Sequence, residues 1–464
     1  MIRRLAPEEL RWTLRGDRAI RAALGEGRRA RDRGPAAIGQ ERAIAALDLG
    51  LGIRERGYNI VAVGPPGTGR TSTVLRLVRE RARREPTPGD LVLLSNFDDR
   101  DRPHTVTLPP GMGPVVEDVY FELVMRLLVE LESAFESDAY VARRQELEAT
   151  RERRLQAALA RVDPDARRRG LIVRRAGAAV TLSPADEGGR PLTDAQFESL
   201  PARARRAFDR AAAAFRPRLE EAVRRLRAIE KDADAALERF ATGTARAIAA
   251  PLFEGAREAL AGQKRVIAHL AELHEDILDG LERLFPQAWG PQDEAAKKKR
   301  QRDPEDESPL LRYRVNVLVT HEPGSGAPVV HETHPTLANL VGRIEQRQRG
   351  GETVTDFTRI RAGTLHRANG GYLVLDAEEL LREGPAWEAL RRALRHRAID
   401  LDDPGEPGRL VTAAALRPEP VPLALKVCLV GAPESVASLA ADPGFAKLFK
   451  VKAEFGTDAE RTPA

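Results

Sequence analysis

Tyr58-Asn59-Ile60-Val61-Ala62-Val63-Gly64-Pro65-Pro66-Gly67-Thr68-Gly69-Arg70-Thr71 decides how the rest of the chain is read. Tyr58 to Val63 is a short apolar run, the pattern of a strand buried on both faces of a parallel sheet. The glycines and prolines from Gly64 to Gly69 end it, and a helical pattern follows from Thr71 to about Arg84. Strand, glycine-rich turn and helix, in that order, form the context that a phosphate-binding loop requires. Glycines let backbone N–H groups turn inward around an anion, and the helix N-terminus adds the positive end of its dipole. Gly64, Pro66, Gly67, Thr68, Gly69 and Arg70 are therefore the expected contacts to ATP or ADP, and Thr71 is placed to ligate Mg²⁺ through its hydroxyl. Position 70 departs from the usual pattern, carrying Arg where Lys is the rule. Lys is a compact point charge that reaches between two phosphates, whereas the planar guanidinium is bulkier. Binding survives that change more readily than hydrolysis does.

A second signal lies about 300 residues further on, in Gly370-Gly371-Tyr372-Leu373-Val374-Leu375-Asp376-Ala377-Glu378. An apolar strand ending in Asp is the Mg²⁺-associated partner of a phosphate loop, so Asp376 joins Thr71 as an expected metal contact through the nucleotide. The water-activating glutamate of such sites would be residue 377, which is Ala. Glu378 is the remaining catalytic candidate. It stands one residue too far along, and successive residues of an extended strand face opposite sides.

Leu91–Leu94, Arg314–Thr320 and Leu423–Val430 are further expected strands, and with Tyr58–Val63 and Tyr372–Leu375 they are assigned to one sheet. The fold class is α/β, an open parallel sheet with flanking helices, interrupted by a helical insertion. Residues 1–35 read as a helical lead-in, and 36–112 as the first part of the α/β domain. Residues 113–290 are rich in Ala, Arg, Leu and Glu at helical spacing, the pattern of a coiled-coil arm. An apolar alternation around glycine predicts a β-hairpin tip near 170–182. A charged linker, 291–309, leads to the second part of the domain, 310–464.

Composition narrows the alternatives. At 464 residues the chain exceeds one ordinary domain. Charged residues at 31% with 5% aromatics suit long solvated helices. The net charge is +5, yet the signs alternate along the helices, which speaks against a nucleic-acid surface. The single cysteine, Cys428, excludes a disulfide scaffold and fits a reducing cytoplasm. Neither a secretory signal nor a run of about 18 apolar residues is found, so no membrane span is expected. The histidines of His321-Glu322 and His331-Glu332-Thr333-His334 lack the spacing of a helical zinc site and are read as loop polarity.

Further segments carry a resemblance. They are Ile38-Gly39-Gln40-Glu41, Asn96-Phe97-Asp98-Asp99-Arg100-Asp101-Arg102-Pro103, Pro335–Glu345, Thr355-Asp356-Phe357-Thr358, Leu365–Ala377, and Asp442-Pro443-Gly444-Phe445 with Leu448–Phe455. With the Gly64–Thr71 loop, they resemble the AAA+ part of bacterial Lon-like proteases that carry a large helical insertion. The resemblance adds Ile38 and Gly39 to the expected nucleotide contacts. It implies a hexamer-like ring that feeds unfolded polypeptide to a Ser-Lys protease domain, which would be separately encoded or lie outside this chain. It places the arginine finger near Lys450 or Lys452, and a γ-phosphate sensor at Ala432 or Pro433. Arg70 and Ala377 resemble the branch whose ATPase motifs are degraded. The expected grip on substrate is Val354 and Phe357, in a loop between Gly342 and Thr358, together with Leu171, Ile172, Val173 and Val180 at the hairpin tip. A nucleotide-independent chaperone-like gate is the alternative, and a nucleic-acid-associated AAA+ ATPase a more distant one.

Overall fold

The computed structural model describes residues 39–176, 179–186, 189–289, 310–349, 352–401 and 416–457. These fall into two compact units, one made of the chain up to Asp118 and from Arg314 on, the other of Val119–Tyr313. None of the described helices is long and apolar enough to cross a membrane.

The first unit opens with α1 (Glu41–Gly52), β1 (Asn59–Val63) and α2 (Arg70–Ala82), followed by β2 (Asp90–Leu94) and β3 (His104–Leu108). After the insertion come β6 (Val315–Val319), β7 (Val329–Glu332), and four short strands, β8 (Gly342–Ile344), β9 (Arg347–Arg349), β10 (Glu352–Val354) and β11 (Ile360–Ala362). The chain closes with β12 (Tyr372–Asp376), β13 (Ala398–Ile399), β14 (Val421–Pro422), β15 (Lys426–Gly431) and β16 (Phe449–Glu454). The main sheet has the order β16-β1-β15-β12-β7, with every described pairing parallel. Its strands β1 and β15 are almost wholly buried, as a parallel strand covered on both faces must be.

One assignment needs correction. Leu91–Leu94 and the 315–319 strand do not join the main sheet. With β3 they make a separate antiparallel sheet of order β3-β2-β6. An apolar run announces burial but not a pairing partner, and this small sheet is buried by stacking. Leu91, Leu93 and Val319 share one core with Val61, Val63, Leu373, Leu375 and Leu429 of the main sheet.

A buried carboxylate closes the gap left by the insertion. Asp90 is fully buried at the start of β2. It accepts from the backbone N–H of Gly113 at 2.8 Å, the hydroxyl of Thr320 at 3.0 Å and the N–H of His321 at 2.8 Å. One side chain thus ties the outgoing chain to the returning chain. In a dry site these bonds meet no competition from water, so each holds more firmly than it would at the surface.

In the second unit, α3 (Asp138–Ala160) and α4 (Ala202–Ala259) pair antiparallel. Leu155, Ala158 and Leu226 form the seam, flanked by Arg151–Asp234 and Arg154–Asp232 ion pairs, both at 3.6 Å. Strands β4 (Leu171–Ala176) and β5 (Ala179–Pro184) form the expected antiparallel hairpin. Its apolar residues pack inward to differing degrees. Leu171 and Ile172 are buried at 0% and 8% exposure, and Leu171 and Val173 pack with Ala166, Phe215 and Leu219. Val180 lies against the Leu155–Leu226 seam. A two-stranded ribbon has no core of its own, so it takes one from the helices.

Asp90→Ala is expected to cost about 2–4 kcal/mol, because it leaves two N–H groups and a hydroxyl without their buried acceptor. The shift of the denaturant midpoint measures this.

Candidate functional site

The glycine-rich loop is held by contacts at both ends. A methyl group on Gly64 would lie 2.7 Å from Cβ of Phe455, so no larger residue fits where β1 ends. The Gly64 N–H donates to the Gly431 carbonyl at 3.3 Å, joining the loop to the end of β15. Gly67 and Gly69 have φ of +88° and +74°, a backbone region that costs other residues about 1–2 kcal/mol. The Thr68 hydroxyl donates to the Pro65 carbonyl at 2.9 Å and closes the turn. Helix α2 then begins at Arg70 with no acidic residue in its first turn. Its leading N–H groups, which have no intrahelical acceptor, face the loop uncompensated. The Arg70 guanidinium donates to the Gly64 carbonyl, so the side chain folds back across the loop. Thr71 is half-buried in the first turn.

Asp376 ends β12 at the level of Val430 on β15, while Val63 pairs with Gly431 on the other side of that strand. Loop and carboxylate therefore share one edge of the sheet, two strand spacings apart, or about 10 Å. Asp376 also caps the helix that follows, accepting from Glu378 N–H at 2.8 Å and Glu379 N–H at 3.4 Å. Both bonds fall on Oδ1, so Oδ2 takes no part in the cap. Thr71 Oγ1 and Asp376 Oδ2 are a hard-oxygen pair of the kind Mg²⁺ uses with phosphates, so the residues present fit that ion.

Ala377 is fully buried in the domain core, and a methyl on Gly431 would approach its Cβ to 2.6 Å. The position where a water-activating carboxylate is expected is thus closed by packing. Glu378 is half-buried in the helix 377–382, its N–H tied to Asp376. Ala432 and Pro433 cap and open the helix after β15, placing a methyl and a pyrrolidine ring at that strand end. Lys450 and Lys452 lie on the exposed face of β16. The first is 4.7 Å over the Tyr58 ring, the second paired with Glu454.

Gln40 was missed among the expected contacts. Its side chain exchanges two hydrogen bonds with the backbone of Gly456, at 2.8 and 3.0 Å, and Phe455 N–H donates to the Val63 carbonyl at 2.7 Å. These bonds tie Gln40, the neighbour of Gly39, to the chain that follows β16, and Ile38 lies outside the described residues. The only signal in the sequence is the glycine at 64, which announces a close neighbour without naming it.

The loop expected to grip substrate is a two-stranded ribbon, β8 with β11 and β9 with β10, and Gly350–Gly351 fall outside the described residues. Val354 is half-buried. Phe357 is 6% exposed and belongs to the domain core, so it cannot grip a passing chain. The Asn316 side chain, which donates to the Phe357 and Ile360 carbonyls at 2.7 and 3.0 Å, holds it there. Of the histidine segments read as loops, His331 and Glu332 instead lie on β7 in the main sheet, and only His321 and His334 are in loops. His321 donates through its backbone to Asp90, and Glu332 accepts from Thr364 and from the His334 N–H.

The Leu365–Gly371 motif delivers β12 to this edge. Asn369 bonds Ala424 N–H and the Pro422 carbonyl, both at 2.8 Å, and Gly370 takes φ of +80° against Pro88. His366 is buried, its Nδ1 accepting from Gly363 N–H at 3.3 Å and its Nε2 unpartnered. Burial pushes its pKa from 6.5 down to about 4.

Residues 325–456 match the family model described as LonB-like, AAA domain. No curated protein matches the chain. Among solved structures, NtrX from Brucella abortus aligns at 16% identity over 43% of this chain and 44% of that one, with a TM-score of 0.18. The same protein in complex with ADP aligns at 15% identity over 43% and 42%, with a TM-score of 0.19. The chain therefore spans less than half the length of either.

Two outcomes are expected. Ala377→Glu inserts a carboxylate into a fully buried core position and should destabilise the domain by about 3 kcal/mol or more, without restoring turnover. Melting and nucleotide turnover of that variant are the check. His366 titrates in the unfolded chain near pH 6.5 but in the fold only near 4. The unfolded state therefore binds the extra proton, and stability is full above 6.5 and falls as pH drops to 4. The loss is about 3 kcal/mol from 2.5 pH units, and His366→Gln should flatten it in denaturant titrations across that range.

Proposed function

We propose that this chain, whose residues 325–456 match a LonB-like AAA domain, is a Lon-like AAA+ module that binds adenine nucleotide weakly, turns it over very slowly, and engages unfolded polypeptide for a protease domain. One observation carries the nucleotide reading. The sheet order brings the Gly64–Thr71 loop and Asp376 to one edge with β15 between them. Gly67 and Gly69 keep the backbone open to an anion, and the leading N–H groups of α2 supply its partial positive charge. Mg²⁺, when bound with nucleotide, would neutralise phosphate charge. Thr71 and Asp376 would hold it.

What the chain's own residues do around that charge explains the slow chemistry. Arg70 supplies a cation, and one N–H of its guanidinium donates to the Gly64 carbonyl, which holds the side chain back across the loop. Ala377 offers no acceptor for the proton of an attacking water. Loss of that base alone costs about 10²–10⁴-fold. Ala432 and Pro433 offer no side-chain polar group to the terminal phosphate. Such a module binds more readily than it turns over, which also supports the second reading, a gate for polypeptide that works without hydrolysis.

The polypeptide reading rests on the family match and on the ribbon from Gly342 to Ala362, inserted before the Asp376 strand. With Phe357 withdrawn into the core, contact falls to the half-buried Val354 and to the ribbon's backbone and polar side chains. These grip a chain without reading its sequence. A hexamer-like ring and a separately encoded protease belong to the same proposal.

Purified protein should bind ATP measurably by calorimetry yet turn it over far below about 1 per second, the low end of ordinary enzymes. Turnover at or above that rate would overturn the slow-motor reading. In a pull-down at moderate salt, an unfolded model protein should be retained in preference to duplex or single-stranded DNA. Tight, salt-sensitive retention of DNA alone would replace the polypeptide reading with a nucleic-acid one.

A further inference from the structure

The edge of the main sheet opposite the phosphate loop carries a cavity of about 400 Å³, a volume in the range of small-molecule sites. It lies at the starts of β1, β12 and β15, where Asn59, Tyr372 and Lys426 line it. The loop follows the other end of β1, four residues or about 13 Å away.

Cations converge on this cavity. Arg54, Arg56, Arg397 and Lys426 line it, against Glu55 and Glu85. Glu85 is already occupied, accepting from Arg54 at 3.1 Å, from Arg81 at 3.3 Å and from the Tyr372 hydroxyl at 3.0 Å. Among the described residues Lys426 has no ion pair, and Glu85 acts on it only through space. Its ammonium donates to the carbonyls of Gly50 at 2.6 Å, Ile53 and Tyr58 at 3.2 Å, and burial pulls its pKa down. Arg56 donates to a carbonyl, that of Arg395. Among the described residues neither Arg56 nor Arg397 is bonded to a carboxylate, so positive charge exceeds negative within the cavity.

The backbone adds an independent sign. Arg397, at the end of the helix 384–396, has φ of +56°, the only non-glycine among the described residues on that side of the map. Such a position suits glycine or asparagine, and an arginine there is held at a cost of about 1–2 kcal/mol. Strain of this kind collects where a side chain is aimed at a ligand. Here it sets Arg397 on the rim, across from Arg56 on the loop between α1 and β1.

We propose that this cavity binds a small oxyanion-bearing molecule, with Arg56 and Arg397 as forked donors and Lys426 as a fixed background charge. Guanidinium groups match the two oxygens of a phosphate or carboxylate bidentately. A bound anion would bridge the α1–β1 loop to the helix 384–396, and so would load the start of the strand that carries the phosphate loop. The proposal does not depend on what the phosphate loop binds.

The test uses the full chain and two simple probes, pyrophosphate and citrate, titrated against chloride at equal ionic strength by calorimetry and melting. Saturable binding is expected. Arg56→Ala and Arg397→Gly should each weaken it about tenfold or more, the loss of one charge-assisted contact. Arg397→Gly suits its φ, so it should fold at least as well as the parent. A loop variant, Arg70→Ala with Thr71→Ala, removes any pyrophosphate held by the phosphate loop and should leave citrate binding unchanged. Pyrophosphate binding that persists in the loop variant supports the proposal with a phosphate-bearing ligand, and citrate binding alone supports it with a polycarboxylate. Absence of saturable binding, or a response lost in the loop variant and kept in both cavity variants, overturns it.

Discussion

A single buried carboxylate allows this domain to exist in two pieces. Between Gly113 and Thr320 the chain leaves the domain and comes back, and closing so long a loop costs entropy that local contacts must offset. Asp90 does this by accepting from both the departing and the returning segment in a site with no exposure to water. With that junction fixed, β6 pairs against β2 at Leu94↔Val315, and the small sheet can stack on the main core. The five parallel strands that carry the loop and Asp376 are then completed by residues far apart in sequence.

The nucleotide edge shows packing and electrostatics pulling in different directions. Positive potential is intact, since α2 begins without an acidic residue and Gly67 and Gly69 hold the loop open. The groups that would move protons or sense the terminal phosphate are replaced by a methyl, a pyrrolidine ring and a close Ala377–Gly431 contact. Binding draws on the dipole and the backbone, whereas hydrolysis needs a placed acid or base. The two can be lost separately, and the close Ala377–Gly431 contact bears on the second.

The two ends of β1 are chemically unlike. One presents backbone N–H groups, the other a cavity lined by guanidinium and ammonium groups. A rigid five-residue strand joins them, with Asn59 locking its start to the Leu448 carbonyl and the Val427 N–H, both at 2.9 Å. A force applied at one end therefore has little slack to lose before it reaches the other.

Much of this was legible in the chain itself. The Gly64–Thr71 loop, the Asp376 strand and the helical insertion with its hairpin are local patterns, set by glycine's backbone freedom, by apolar runs and by helical spacing. Ala377 and Arg70 are likewise read from identity alone. Tertiary structure decided the rest, because it turns on which surfaces meet. An apolar run does not say which strand it pairs with, so Leu91–Leu94 was assigned to the wrong sheet. Phe357 and Leu171 look like gripping residues in a list of apolar side chains, and only their neighbours show them to be core. The cavity at the far edge has no motif at all. Arg56 stands hundreds of residues before Arg397 and Lys426, and only the strand order gathers their charges in one place.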